Sequence, residues 1–305
     1  GGLQKNFDAT IAQLQSSNVI DRLWKKDHAI WRSEEVHRKS ILNRLGWLHS
    51  VDLMQQNIDG LRHFAEDIRG AGFTHVVVLG MGGSSLCPDV CRATFGSAKD
   101  YPRLLVLDST NPASLQRIEN SISIQTTLFI VASKSGGTTE TNMFYKYFYG
   151  KVAELREGEA GSNFVAITDA DTQMEKIAVE KKFRKIFLNP EDIGGRYSAL
   201  SYFGVVPMAL IGMDVSKILE NALSMARSCV STIVKDNPAA LLGVTMGEAF
   251  KAGKDKLTFI ASKQIETFNY WTEQLIAEST GKEGKGIVPI EGEARPTNFP
   301  SDRLF

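Results

Sequence analysis

Cysteine is scarce in this sequence, net charge is absent, and histidine disappears after residue 75. Each shortage closes a route. Three cysteines, Cys87, Cys91 and Cys229, are too few for a disulfide framework. Their rarity makes a reducing cytoplasm the expected location. Lys plus Arg and Asp plus Glu both total 35, so no basic field draws the chain to nucleic acid. No apolar run approaches the roughly 18 residues that a membrane helix needs, so no membrane partner is expected. The five histidines, His28, His37, His49, His63 and His75, show no metal-ligand spacing. Cys87 and Cys91 stand four apart, on one face of a helix. A metal pair there needs further ligands, so no metal is expected and the two read as buried thiols.

What remains is ordinary globular material: 305 residues, 43% hydrophobic and 23% charged, enough for about two domains. Residues 10–70 read as helices, with Trp24, Ile30 and Trp31 on one face and Leu42, Leu45, Leu48 and Leu53 near helical spacing. The pattern then changes to short continuous apolar runs at 76–79, 104–107, 128–131 and 164–167, as strands covered on both faces require. Helix-length polar segments at 87–94, 112–120 and 141–156 separate them. This alternation predicts an α/β fold with a doubly wound parallel sheet.

Beyond Phe187 come a Gly194-Gly195 turn, a helical stretch over about 199–252, a strand-like 257–260 and a helix near 271–276. From Gly281 onward, Gly, Pro and charge predict loop, with a strand starting only near Asp302. The division expected is a helical N-terminal segment over 1–70, a first α/β domain over 71–190, and a helical linker leading into an incomplete second α/β unit over 191–305. That incompleteness, with a Gly1-Gly2 start lacking Met or a signal peptide, leads us to expect a piece of a longer protein.

Chemistry concentrates in four segments. Gly80-Met81-Gly82-Gly83-Ser84-Ser85 follows the first strand, where parallel sheets bind ligands. Its glycines let backbone N–H groups approach an anion, its serines add hydroxyls, and the next helix presents its positive end. Ser133-Lys134-Ser135-Gly136-Gly137-Thr138-Thr139-Glu140 repeats the arrangement after the third strand. There Lys134 offers either a charge or, with its side chain in solvent, only a backbone N–H. A glycine turn capped by Ser or Thr would look the same for one loop, but two at strand ends of one sheet point to a phosphate. Rival motifs fit worse. The dinucleotide fingerprint lacks its third glycine, although Asp108 stands where a ribose-binding acid belongs, and no Gly-Lys-Ser/Thr completes a P-loop. The serine-hydrolase elbow is absent from the Gly82 region.

The third and fourth segments bring acid–base groups. Gly194-Gly195-Arg196-Tyr197-Ser198 supplies a guanidinium suited to developing enediolate charge, or alternatively to an ion pair with Asp192. Glu278-Ser279-Thr280-Gly281-Lys282 supplies a carboxylate at a helix end, either a proton-transfer base or a surface charge. Glu140 is placed to bind substrate hydroxyls, orient its loop, or favour its helix N-terminus. A phosphate cradle, a cation and a carboxylate together are what carbonyl migration on a sugar phosphate requires.

These segments resemble the glucose-6-phosphate isomerase family, built on paired sugar-isomerase (SIS) domains of flavodoxin-like fold. The likeness runs through the Gly80 loop, residues 133–141, 193–204 and 271–289, and is most specific at Gln274-Leu275-Ile276-Ala277-Glu278-Ser279-Thr280-Gly281-Lys282-Glu283-Gly284-Lys285-Gly286. It is nearer still to the isomerase half of bacterial fusions with transaldolase. The resemblance implies that Ser84, Ser133, Ser135 and Thr138 hold the substrate phosphate with help from Lys134. Gly83 and Arg196 would line the sugar site, Glu140 would be a site carboxylate, and Glu278 would shuttle the proton between C1 and C2. It also implies conversion between glucose 6-phosphate and fructose 6-phosphate through an enediolate, a sugar phosphate as the small-molecule partner, no cofactor, and a homodimer. A non-catalytic SIS module that senses a sugar phosphate is the alternative. The family opens the sugar ring with a His and a Lys that follow the Glu motif. No His follows His75 here and neither role can be assigned, so poor turnover by the isolated chain is expected.

Overall fold

The continuous apolar runs leave neither face to water. Val76 to Leu79, Leu128 to Val131 and Phe164 to Ile167 are all fully buried, as central parallel strands must be. A computed structural model describes residues 2–294, 298 and 300–305. Among these residues the first sheet has five strands: β1 His75–Gly80, β2 Arg103–Leu107, β3 Thr127–Ala132, β4 Phe164–Thr168 and β5 Lys185–Leu188. All pair in parallel in the order β2-β1-β3-β4-β5, the flavodoxin-like order of a doubly wound sheet. Ring stacking fills one layer of its core, with Phe129 4.7 Å from Phe148 and 5.2 Å from Phe164.

The connecting helices fall at Leu86–Phe95, Pro112–Ser121 and Thr139–Leu155, within two residues of the sequence reading. Local chemistry explains the second start: Asn111 accepts from the Ala113 N–H at 2.9 Å, and Pro112 occupies the first turn, where its missing N–H costs nothing. Around this first sheet two elements go beyond the sequence reading, β5 and the helix Gln173–Glu180. β5 is a four-residue sheet edge in which Phe187 alone is buried, so its apolar run, Ile186 to Leu188, is shorter than those of the central strands.

The predicted helical stretch over 199–252 breaks into a 3₁₀ turn, Gly195–Leu200, and helices Tyr202–Leu210, Val215–Cys229 and Pro238–Lys251. A second, three-stranded parallel sheet has the order β7-β6-β8, with β6 Lys256–Thr258, β7 Val288–Ile290 and β8 Arg303–Leu304. β7 lies where the sequence predicts loop; at three residues, containing Pro289, it is too short to announce itself.

The chain divides into two compact units, His49–Leu219 and Gly1–Leu48 with Glu220–Phe305. The first holds the five-stranded sheet. The second holds the small sheet and a helical core in which Ile11, Ile20, Val234 and Val244 are buried together. Trp24 Nε1 donates to the Cys229 carbonyl at 2.9 Å within it.

Candidate functional site

Strand register decides which loops can meet. Gly80 pairs with Ala132, and Ala132 with Ile167, so β1, β3 and β4 end at one level. The Gly80 and Ser133 loops therefore open side by side at the carboxyl edge of the sheet, the binding edge of parallel α/β folds.

In the first loop Gly82 adopts φ 55°, in the left-handed region that glycine favours, and starts a 3₁₀ turn through Ser84. Ser84 remains half-buried and its N–H donates to the Met81 carbonyl at 3.2 Å. Ser85, read from sequence as a second hydroxyl donor, is sealed inside and donates to the Gly82 carbonyl at 3.0 Å. Asp108, at the end of β2, is exposed, yet the protein around it and then the neighbouring Asp89 carboxylate push its carboxyl above the usual range.

In the second loop Ser133 is buried, with its hydroxyl 3.0 Å from that of Thr138. Ser135 is exposed, and its Oγ accepts from the Gly137 N–H at 3.2 Å. Asn142 binds the loop from the following helix, donating to the carbonyls of Gly136 and Thr138 at 3.3 and 3.0 Å. Glu140 lies in the first turn of that helix, half-buried, where the helix dipole favours a carboxylate. Lys134 does not extend into solvent. Its ammonium pairs with Asp169 and donates to the Glu191 carbonyl at 2.7 Å.

Arg196 reaches the same edge through backbone packing. A Cβ placed on Gly83 would lie 2.3 Å from the carbonyl carbon and oxygen of Gly195, so the two turns touch main chain to main chain. Ser198, absent from the sequence reading as a fastener, donates to the carbonyls of Gly195 and Gly83 at 2.6 and 3.1 Å. The Arg196 guanidinium lies over the Tyr197 ring, 4.7 Å from its centre. The unit His49–Leu219 thus gathers Gly83, Ser84, Ser133, Lys134, Ser135, Thr138, Glu140 and Arg196 around the ends of β1, β3 and β5.

Glu278 belongs to the other unit, near the end of the helix Phe268–Thr280. It is exposed, its Oε1 accepts from Gln274 Nε2 at 3.0 Å, and its carbonyl accepts from Lys282 Nζ at 2.5 Å. Behind it the chain reverses tightly. Thr280 Oγ1 accepts from the Ile287 N–H at 2.9 Å, Glu283 and Gly284 take positive φ, and a Cβ on Gly286 would lie 2.9 Å from Gly281 Cα. The glycine-rich tail of the motif is thus a turn that fastens the Glu278 helix to β7. Among the described residues no group of three or more His, Cys, Asp or Glu is placed to hold a metal ion.

The fold matches a hypothetical protein from Thermus thermophilus with a TM-score of 0.75 at 22% identity, covering 95% of this chain and 68% of that one. It matches a glucose-6-phosphate isomerase from Chlamydia trachomatis with a TM-score of 0.68 at 22% identity, covering 90% of this chain and 53% of that one. The glucose-6-phosphate isomerase of Nostoc punctiforme is 32% identical over 266 residues, 78% of this chain and 49% of its own length. The chain spans about half the length of the curated relatives it matches. The phosphoglucose isomerase family profile matches residues 49–293, most of the sequence, and the chain therefore belongs to the phosphoglucose isomerase family.

Proposed function

We propose that this chain carries the phosphate-binding and proton-transfer parts of a glucose-6-phosphate isomerase, which interconverts glucose 6-phosphate and fructose 6-phosphate through an enediolate. The observation that carries this reading is the convergence of two hydroxyl-lined loops and the Arg196 turn at one sheet edge, in a chain of this family. Phosphate bound by Ser84, Ser133, Ser135 and Thr138 anchors the substrate at a distance from the reacting carbons. Binding energy gained there positions C1 and C2 without being lost when the proton moves. Gly83 keeps the sugar site open, Glu140 binds substrate hydroxyls, and Arg196 stabilises the enediolate. Glu278 takes the proton from one carbon and returns it to the other, which needs neither metal nor organic cofactor.

In this reading residues 71–190 are the phosphate-binding domain, 191–305 bring the Arg196 turn and the start of a second SIS domain, and 1–70 form a helical N-terminal segment. The whole protein would be a cytoplasmic homodimer, with a transaldolase domain on the same polypeptide. The test is conversion of fructose 6-phosphate to glucose 6-phosphate, coupled to glucose-6-phosphate dehydrogenase. Glu278→Gln is expected to abolish turnover and C2 proton exchange with solvent while leaving fructose 6-phosphate bound. Unchanged turnover in Glu278→Gln would remove Glu278 from the role of base, and binding with no Glu278-dependent exchange would leave a sugar-phosphate sensor.

A further inference from the structure

We propose that Asp169 is a positioning residue for the phosphate end of the site, acting through Lys134; the inference rests on the sugar-phosphate reading above. Lys134 is the second residue of the loop after β3, where a lysine has its simplest use as a cation facing the phosphate. Its side chain is committed elsewhere. The ammonium pairs with the Asp169 carboxylate and donates to the Glu191 carbonyl at 2.7 Å. The pair is largely withdrawn from water, with side-chain exposures of 26% for Lys134 and 13% for Asp169.

The same two residues are joined a second time through the main chain, where the Asp169 N–H donates to the Lys134 carbonyl at 3.0 Å. Thr168 Oγ1 donates to that carbonyl at 3.4 Å. Lys134 is thus gripped at both its backbone and its ammonium. The grip continues along the loop. Gly136 has φ 65°, and a Cβ there would lie 2.8 Å from Thr172 Cβ, so the segment after β4 forms a wall against the turn. Thr172 fastens that wall by donating to the Asp169 carbonyl at 3.1 Å. Glu191 in turn lies three residues before Gly194, at the approach to the Arg196 turn. One ammonium therefore ties together the loops that leave β3, β4 and β5.

The charge balance makes the idea testable by sign. If the Lys134 ammonium served the phosphate directly, Asp169 would compete with the ligand, and neutralising it would strengthen binding. If Lys134 pins the loop, losing Asp169 lets Ser133, Ser135 and Thr138 drift from the geometry that surrounds the anion, and binding weakens. Calorimetric titration of the full chain with fructose 6-phosphate and with inorganic phosphate separates the two. Asp169→Asn is expected to weaken both ligands by the same factor, about tenfold. Lys134→Met should match it, and the double variant should be no worse than either, because all three lose one pin. Asp169→Glu, which restores the carboxylate, should recover most of the affinity, as loss of fold alone would not permit. Binding by Asp169→Asn as tight as or tighter than wild type would overturn the proposal. So would additive losses in the double variant; if Asp169→Asn does not fold, Lys134→Met decides, and unchanged affinity for both ligands would overturn the proposal. A wild-type chain that binds neither ligand would instead remove the sugar-phosphate reading, and the pin's role with it.

Discussion

Gly83 and Gly195 meet backbone to backbone, and the contact is one-sided. A Cβ on Gly83 would fall 2.3 Å from the Gly195 carbonyl, whereas a Cβ on Gly195 would find only Gly83 Cα, at 3.9 Å. Gly83 has no positive φ, so its requirement is for empty space rather than for an unusual backbone conformation. Ser198 fastens the contact by donating to both carbonyls. Through this contact the turn after β1 fixes where Arg196 stands.

Gly83→Ala is therefore expected to push the Arg196 turn away, because the obstacle is main chain and cannot rotate aside. Overpacking of this kind costs about 3 kcal/mol, the upper end for added methyl groups. Gly195→Ala should stay within about 0.5 kcal/mol of wild type, since it gains only an ordinary van der Waals contact. Urea unfolding of both variants measures the difference. Equal losses would show that the packing between the two turns is not directional.

The cysteines give a second, independent test. Cys87 and Cys91 are both buried on the helix Leu86–Phe95, while Cys229 is partly exposed. A hydrogen bond that Cys87 donates to Cys91, then burial, push the Cys87 thiol well above the usual range; the same bond lowers the Cys91 thiol, which burial shields from the reagent. Native protein should release one fast equivalent of thionitrobenzoate from Ellman's reagent, and Cys229→Ser should remove it. All three thiols should react in urea. Fast reaction of two or three thiols in the folded chain would contradict this.

Much of the fold was legible because β1, β3 and β4 are buried on both faces, and full burial writes an uninterrupted apolar run. β5 and β7 were not legible, since an edge strand and a three-residue strand need no such run. The two glycine–hydroxyl loops at the strand ends were legible as well, because glycine beside hydroxyls after an apolar run is a local signal. The serines within them were not separable, because Ser84 and Ser85 differ only in which one the tertiary fold seals. Asp169 and Ser198 act across sequence separations of 35 and 115 residues, so no local pattern marks their partners. The one available hint was Asp169 itself, a carboxylate at the end of a buried strand beside a loop containing lysine.

Glu119 supplies the pH dependence. It joins the helix Pro112–Ser121 to Thr139–Leu155, pairing with Lys151 Nζ at 2.6 Å and accepting from the Tyr147 hydroxyl at 2.6 Å. The Lys151 bond first, and the Tyr147 bond second, hold its carboxyl below the ordinary value of 4.5. A depressed carboxylate pKa means that the folded state binds the proton less readily than the unfolded chain. The stabilisation is therefore complete above the unfolded value and is lost as pH falls through the folded one. Glu119→Gln is expected to cost about 1 kcal/mol at pH 7, since both partners keep some contact with water. As the carboxylate of the wild-type protein becomes protonated, the two proteins should converge in stability. Urea midpoints at pH 7 and in steps down to pH 3 measure this. A gap that stays constant across the range would mean that Glu119 acts through packing rather than charge, and that the two helices are joined without help from the Lys151 pair.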